Sequence, residues 1–291
     1  MKGKFKKIYE LKKDKLAVLD IAALGDNVLF DLNRDGTGII YEVEGRENYL
    51  SRKSPKFKGS SFRGERLEQI VAANLDNLFI VASIKQPDFN NRLVDRLIVT
   101  AISSGISVTL IINKIDLDTE NESTGWEKLY SDIGYKVFLT NGLSGKGIEQ
   151  LREVVKGKVN VFWGPSGVGK STILNSLFPS FDFKVGDVSE YSQKGTHTTV
   201  TSIMKKVGEN TFLVDTPGLR EIEPYGIKKE DLGHYFEEFL PHLNECKFNT
   251  CTHHHEPGCE IIKMVDVGEI DKRRYKSYLN MLETIEEDII F

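Results

Sequence analysis

The rhythm of apolar and polar positions changes along this chain. Up to about residue 66 the apolar residues come in short runs. Lys15-Leu16-Ala17-Val18-Leu19, Asn27-Val28-Leu29-Phe30 and Gly38-Ile39-Ile40-Tyr41-Glu42-Val43 are the clearest. Gly25-Asp26, Asn33-Arg34-Asp35-Gly36 and Glu44-Gly45-Arg46 separate them with turn-forming residues. Such punctuation predicts roughly five short strands and a small β-barrel of the OB-fold type.

From residue 67 to about 230 two other rhythms alternate. Leu75–Ala82, Val108–Ile112 and Val159–Trp163 read as buried strands, and Gly134–Asn141 and Thr211–Val214 as further strands. Leu93–Ala101 and Ile173–Phe178 carry the helical period, and Leu143–Leu151 reads as a turn and a helix. Strand–helix–strand at this spacing predicts an α/β domain with a parallel sheet and right-handed crossovers. Residues 231–291 look helical, apart from a segment rich in Cys and His. The expected organisation is multi-domain: an OB-fold barrel at 1–66, an α/β domain at 67–230 and an α-helical domain at 231–291.

The α/β region carries the chemistry. Gly164-Pro165-Ser166-Gly167-Val168-Gly169-Lys170-Ser171-Thr172 fits G-x-x-x-x-G-K-[ST] and stands between a buried strand and a helix. That context makes it a phosphate-binding loop. Its glycines let backbone N–H groups converge on an anion at a helix N-terminus. Lys170 is placed to reach the β- and γ-phosphates, and Ser171 to put its hydroxyl on Mg²⁺.

The strand Val108–Ile112 runs into Asn113-Lys114-Ile115-Asp116. N-K-x-D is the pattern a guanine-specific loop needs. Asp116 can accept from the guanine N1–H and exocyclic amine. Adenine lacks that donor pair, which leaves the carboxylate unsatisfied at a cost of ~1–3 kcal/mol. Asn113 is expected to brace the neighbouring loops and bind the N7 edge. The stem of Lys114 is expected to lie along the purine ring. Thr140-Asn141, after the next strand, marks a second base-side loop.

Two more segments complete the set. Lys194-Gly195-Thr196-His197-Thr198-Thr199 is polar, and a Thr there can coordinate Mg²⁺ when the γ-phosphate is present; Thr199 is the first choice and Thr198 the second. Asp215-Thr216-Pro217-Gly218 follows a strand, so Asp215 is expected to hold Mg²⁺ through water and the Gly218 N–H to bond the γ-phosphate.

Composition narrows the classes. A net charge of −4 over 291 residues excludes a general nucleic-acid binder. The charge is uneven, though. Lys2, Lys4, Lys6, Lys7, Lys12, Lys13 and Lys15 face only Glu10 and Asp14, so this arm either touches phosphates or is a solvated tail. Arg52–Gly59 reads as a basic connecting loop. No apolar run approaches the roughly 18 residues of a membrane span, and the N-terminus has no signal-peptide pattern. A soluble cytoplasmic monomer is the expectation. Three cysteines in one short stretch, Cys246, Cys251 and Cys259, argue for a metal rather than disulfides. With one imidazole from His253, His254 or His255 they make a closed set for structural Zn²⁺.

The order of the nucleotide motifs is unusual. The base-reading elements precede the phosphate loop, the switch Thr and Asp215–Gly218. The chain resembles a circularly permuted GTPase. With a β region before it and a Cys/His cluster behind, it resembles the ribosome small-subunit-dependent GTPase A family (RsgA/YjeQ). The likeness rests also on Val71–Asp76, Gln86-Pro87-Asp88-Phe89, Cys246-x4-Cys251-x-His253-x5-Cys259 and Glu256-Pro257-Gly258. It implies GTP hydrolysis stimulated by the small ribosomal subunit and its rRNA, and a role in late maturation of that subunit. It also selects His253 as the fourth zinc ligand. Some positions depart from the pattern: Thr140-Asn141 replaces Ser-Ala, Val200 stands where a further Thr is common, and Gly167 replaces an Asn that supports K⁺ activation in related GTPases.

Leu219 follows the switch glycine, where Ras-like enzymes carry a water-positioning Gln. His197 is the candidate to take over that task, since an imidazole can hold a water or accept its proton, and the resemblance supports it. Two other classes compete with a GTPase assembly factor. One is a GTP-dependent signalling switch without a ribosomal partner, and the other is an RNA-binding zinc protein with a vestigial nucleotide site. Intact Lys170, Ser171, Asp215 and Asp116 argue against the last. Two further expectations concern the tail: the chain runs from Asp215–Gly218 straight into it, so switch motion can pull on it, and Lys272–Tyr278 begins a helix whose basic, aromatic face either meets rRNA or is merely solvated.

Overall fold

The short runs near the N-terminus pair as strands, in two separate sheets. The computed structural model describes residues 17–18, 22–53, 67–181, 183, 203–215 and 227–285. Strand β1 (Ala17–Val18) lies parallel to β5 (Leu67–Ala73), which pairs antiparallel with β4 (Tyr49–Lys53). Strands β2 (Val28–Leu32) and β3 (Gly38–Val43) form an antiparallel hairpin closed by a turn in which the Asn33 N–H donates to the Thr37 carbonyl at 2.8 Å. Among the described residues these strands do not close into a barrel. Arg52, expected in a loop, lies in β4 and donates to Gln69 Oε1 of β5 at 2.9 and 3.0 Å.

The all-apolar run after Asp76 becomes the middle of the main sheet. Strand β6 (Asn77–Ser83) is buried along its whole length. It lies parallel to β7 (Ser107–Asn113) on one side and β9 (Val159–Trp163) on the other. A strand covered on both faces has no solvated side, and that is why its pattern is continuous rather than alternating. Strand β8 (Lys136–Leu139) extends the sheet beyond β7. Strand β11 (Thr211–Asp215) extends it beyond β9 in parallel, and β10 (Ile203–Gly208) closes that edge antiparallel. The order is β10-β11-β9-β6-β7-β8. Strand β10 left no clear signal because its Lys205-Lys206 pair and exposed positions suit an edge strand.

Helices cover the sheet. Helix α1 (Asn91–Ser103) starts where Asn90 Oδ1 accepts the Leu93 N–H at 3.2 Å, an N-cap bond. Helices α2 (Glu122–Asp132), α3 (Ile148–Val155) and α4 (Lys170–Leu177) follow β7, β8 and β9. Ile173, Leu174 and Leu177 of α4 and Leu151 of α3 pack with Phe79, Ile111 and Phe162 of the sheet.

The tail region departs from the expectation of helices throughout. Its first part consists of short 3-10 turns at Lys229–Tyr235, Glu237–Phe239 and Leu243–Glu245. Among the described residues of the tail only α5 (Glu260–Val267) and α6 (Lys272–Thr284) are α-helices. The turns wrap Leu232, Phe236 and Phe239 around Tyr278 and Met281 of α6, and Val99 of α1 joins the same core. This core docks the tail on the nucleotide-binding half through α1.

Helix α6 does not present Arg274 and Tyr278 to an outside partner. Arg274 is 1 % exposed. Its guanidinium donates to Asp95 of α1 and, at 2.7 and 3.1 Å, to both oxygens of Glu238. Tyr130 of α2 donates its hydroxyl to the same Asp95 oxygen at 2.7 Å. Tyr278 is fully buried, whereas Lys272, Arg273 and Lys276 remain on the surface. The basic run is therefore split between a buried anchor and a solvated face.

Candidate active site and metal centre

The phosphate loop is moulded by close backbone approach. Gly164 leaves β9 so near β6 that a Cβ would stand 2.0 Å from the Val81 carbonyl oxygen. Gly169 has φ +96°, and a Cβ there would meet Asn113 Nδ2 at 2.3 Å. Neither position can hold another residue without moving the loop. Val168 is buried between them, while Ser166 and Gly167 face solvent. Pro165 stands half-buried at the start of the turn. Lys170 begins α4, and its Nζ donates to the Gly164 and Pro165 carbonyls at 2.8 Å each. Ser171 is buried in the first turn of α4 and Thr172 half-buried beside it.

Asn113 joins the base side to the phosphate side. It is buried at the end of β7. Its Nδ2 donates to the Val168 carbonyl at 2.8 Å. Its Oδ1 accepts from Thr140 Oγ1 at 3.0 Å and from the Gly142 N–H at 3.1 Å. Loops 27 and 55 residues further along the chain thus meet on one carboxamide. Thr140 is fully buried. Asn141 folds its Oδ1 back onto the N–H groups of Leu143 and Ser144, at 2.9 and 3.1 Å. Gly142 went unnoticed in the sequence. A Cβ there would stand 3.3 Å from Ile173 and Thr172, and the Gly142 carbonyl accepts from Ser176 Oγ at 2.7 Å. The Asn-Gly dipeptide was the available signal.

Lys114 has φ +60° and directs its Nζ to the Gln86 carbonyl. Asp116 lies in a 3-10 turn (Ile115–Leu117) and is exposed. Asp215 ends β11, paired with Ile203 of β10; its side chain, together with His197, Thr198, Thr199 and Gly218, lies outside the described residues.

The Cys/His cluster assembles as the spacing predicts. Donor atoms of Cys246, Cys251, His253 and Cys259 all lie within 4.8 Å of one another. His253 Nδ1 is 3.5 Å from Cys246 Sγ and 3.4 Å from Cys259 Sγ. A tetrahedral Zn²⁺ with ordinary bond lengths separates S and N ligands by about 3.5 Å. The residues therefore fit zinc, with no position left for a substrate. His254 and His255 are exposed and outside the cluster. Glu256 accepts from the N–H groups of Thr252, His254 and His255 and from the Thr252 hydroxyl, at 2.6–3.1 Å. These bonds shape the ligand loop and, against the cost of burial, hold its carboxyl down at about 2. Tyr275 and Tyr278 of α6 donate to the His253 and Thr252 carbonyls at 2.8 and 2.7 Å.

Burial pushes the Cys251 thiol up to about 12 and raises Cys259 as well. Without a cation these thiols keep their protons at neutral pH, so zinc has to displace them. Affinity then falls as pH falls, on the order of tenfold per pH unit for each proton displaced. Zinc titration followed by a pH indicator should show proton release. Chelation at pH 5–6 should strip the metal far faster than at pH 8, with loss of tail structure by circular dichroism.

The comparisons with known proteins agree with this geometry. A family model described as RsgA GTPase matches residues 43–224. The protein named small ribosomal subunit biogenesis GTPase RsgA in Bacteroides fragilis is 38 % identical over 268 residues, covering 91 % of this chain and 84 % of that protein. Its namesake in Chlorobaculum parvum is 38 % identical over 272 residues, covering 92 % and 86 %. The crystal structure of YjeQ from Thermotoga maritima superposes with a TM-score of 0.74 at 30 % identity, over 92 % of this chain and 88 % of that one. YloQ, described as a circularly permuted GTPase, gives 0.68 at 27 % identity, over 90 % and 79 %. The sheet has the permuted order read from the motifs, with the base-reading strand β7 preceding the phosphate-loop strand β9 in the chain. By its motifs, its fold and these likenesses, the chain belongs to the RsgA GTPase family.

Proposed function

We propose that this protein hydrolyses GTP to GDP and phosphate, with the small ribosomal subunit as activating partner, and that it acts in late maturation of that subunit. The observation that carries the GTPase reading is the Asn113 carboxamide, which holds the base-side loops and the phosphate loop in one frame. The ribosomal partner is taken from the relatives, each named a small ribosomal subunit biogenesis GTPase.

In this reading Asp116 and Lys114 take the guanine, and the 140–142 loop closes its edge. Residues Gly164–Thr172 wrap the phosphates, with Lys170 on the β- and γ-oxygens. Ser171, Thr199 and Asp215 offer the hard oxygen donors that suit Mg²⁺, and the bound ion would neutralise charge between the β- and γ-phosphates. The Gly218 N–H bonds the γ-phosphate, and His197 orients the attacking water in place of the Gln that Leu219 displaces. The zinc is structural. The N-terminal strands, which take in β5 and so run to Ala73 rather than residue 66, belong to a module for rRNA; the GTPase domain follows to about residue 230, and residues 231–291 make the zinc domain of a cytoplasmic monomer. Among the described residues no helix is long and apolar enough to cross a membrane.

Turnover of GTP with and without purified small subunits tests the reading. Slow hydrolysis alone and at least about tenfold stimulation by the subunit are expected. A His197→Ala variant should lose about 10²-fold of the stimulated rate while still binding GTP. Hydrolysis that ignores the subunit would remove the ribosomal part of the proposal.

A further inference from the structure

The tail helix α6 reaches the nucleotide site by a route that does not use the switch segments. The loop Gln86–Phe89 lies between them. At one end the Gln86 carbonyl accepts Lys114 Nζ. Both residues are in the left-handed region, Gln86 at φ +53° and Lys114 at φ +60°. Two non-glycine residues in that region, meeting each other at a ligand site, mark a geometry held by its surroundings. The root of the loop is tied down: the Ile84 N–H donates to the Asn113 carbonyl at 3.0 Å, and Ser83 Oγ to the Pro87 carbonyl at 2.7 Å.

At the other end the loop leans on α2 and α6. The Phe89 ring packs against Trp126 of α2, tilted by 32° with centroids 4.6 Å apart. Trp126 also meets the Tyr130 ring, with centroids 6.5 Å apart, and carries the Arg273 guanidinium 4.4 Å from its ring centroid. Arg273 is in turn held by Asp271, at 2.9 and 3.0 Å. Two residues after Phe89, Asn91 donates to Ser277 Oγ at 3.0 Å and to the Arg273 carbonyl at 3.3 Å.

We propose that α6, acting through Trp126, Asn91 and the Gln86–Phe89 loop, positions Lys114 for the purine. The inference rests on the reading of this site as a guanine-nucleotide site. With its Nζ fixed by Gln86, the Lys114 stem is presented in one pose, so binding loses less side-chain entropy than for a free lysine. The zinc domain then sets nucleotide affinity from the base side. Trp126, Asn91 and Arg273 are positioning residues: each acts on the base through Lys114 and none has a catalytic part.

Calorimetry on the full zinc-loaded chain tests this with GDP and with magnesium pyrophosphate, which reaches the phosphate loop but has no base. Trp126→Ala is expected to weaken GDP binding on the order of fivefold to tenfold. Pyrophosphate binding should stay within twofold, and Trp126→Phe should restore most of the loss. In a Lys114→Met background Trp126→Ala should add nothing, because its route to the base is gone. Equal losses for GDP and pyrophosphate would mean general unfolding of the site and overturn the proposal. So would losses that add to those of Lys114→Met. Asn91→Ala gives a second, milder probe with the same expected pattern should Trp126→Ala fold poorly. If the unaltered chain binds pyrophosphate but not GDP, the nucleotide reading itself falls and takes this inference with it. If it binds GDP normally and the variants do too, only the positioning role is lost.

Discussion

Lys170→Ala is expected to slow GTP hydrolysis by about 10³-fold, the scale of losing a principal charge on a transferring phosphoryl group. The fold should survive. Lys170, Gly164 and Pro165 are all half-buried, so the ammonium and its backbone acceptors sit near the surface rather than in the core. Thermal unfolding should therefore move little while single-turnover hydrolysis collapses. Lys170→Arg should not rescue, because a planar guanidinium fork does not reproduce a compact ammonium on a flexible stem. Hydrolysis by Lys170→Ala within tenfold of the unaltered chain would mean that the loop does not clamp the reacting phosphates.

The second large effect is structural. Arg274→Ala should cost roughly 3–5 kcal/mol, the range for breaking a buried ion pair from one side. The loss strands Asp95, fully buried and with one carboxylate oxygen already lacking a partner, and it strands Glu238. Burial holds the Asp95 carboxyl above the usual range, and the Arg274 guanidinium is the largest influence opposing that rise. Removing the guanidinium lifts it further. A carboxyl whose folded value exceeds its unfolded value of about 4 favours the folded state at acid pH, and that benefit fades as pH rises. The deficit of Arg274→Ala should accordingly be smallest below pH 4 and grow toward neutrality. Denaturant melts of the tail at several pH values check both size and sign. Pairing Arg274→Met with Asp95→Leu should recover part of the loss, since it removes the deeper of the two stranded carboxylates and leaves only Glu238 without its cation.

These two arginine and lysine cases show what the sequence displayed and what it hid. Lys170 was legible because its meaning is local: glycines, strand and helix all lie within a dozen residues of it. The same holds for Asn113–Asp116 and for the cysteines, whose ligand chemistry is written in their spacing. Arg274 was not legible. In Lys272-Arg273-Arg274 it looks like its surface neighbours, and its partner Asp95 is 179 residues away. Nothing local tells a buried arginine from an exposed one. The tail turns were misread as helix for a related reason. Leu232, Phe236 and Phe239 have helical spacing, but they wrap around Tyr278 instead of lining one face. In the N-terminal region β2 and β3 were visible in their short apolar runs and the turn between them, whereas the pairing of β1 with β5 joins segments about 50 residues apart and has no local signature.

Val99 belongs to the outer side of α1 yet packs in the core of the tail. An excised nucleotide-binding fragment would therefore carry an oily helix flank beside an ionisable Asp95 whose neutralising neighbour has been cut away. Such a fragment should clump at modest concentration, and a soluble minimal version has to be resurfaced along α1, with a polar residue at 99, before crystallisation or screening is attempted.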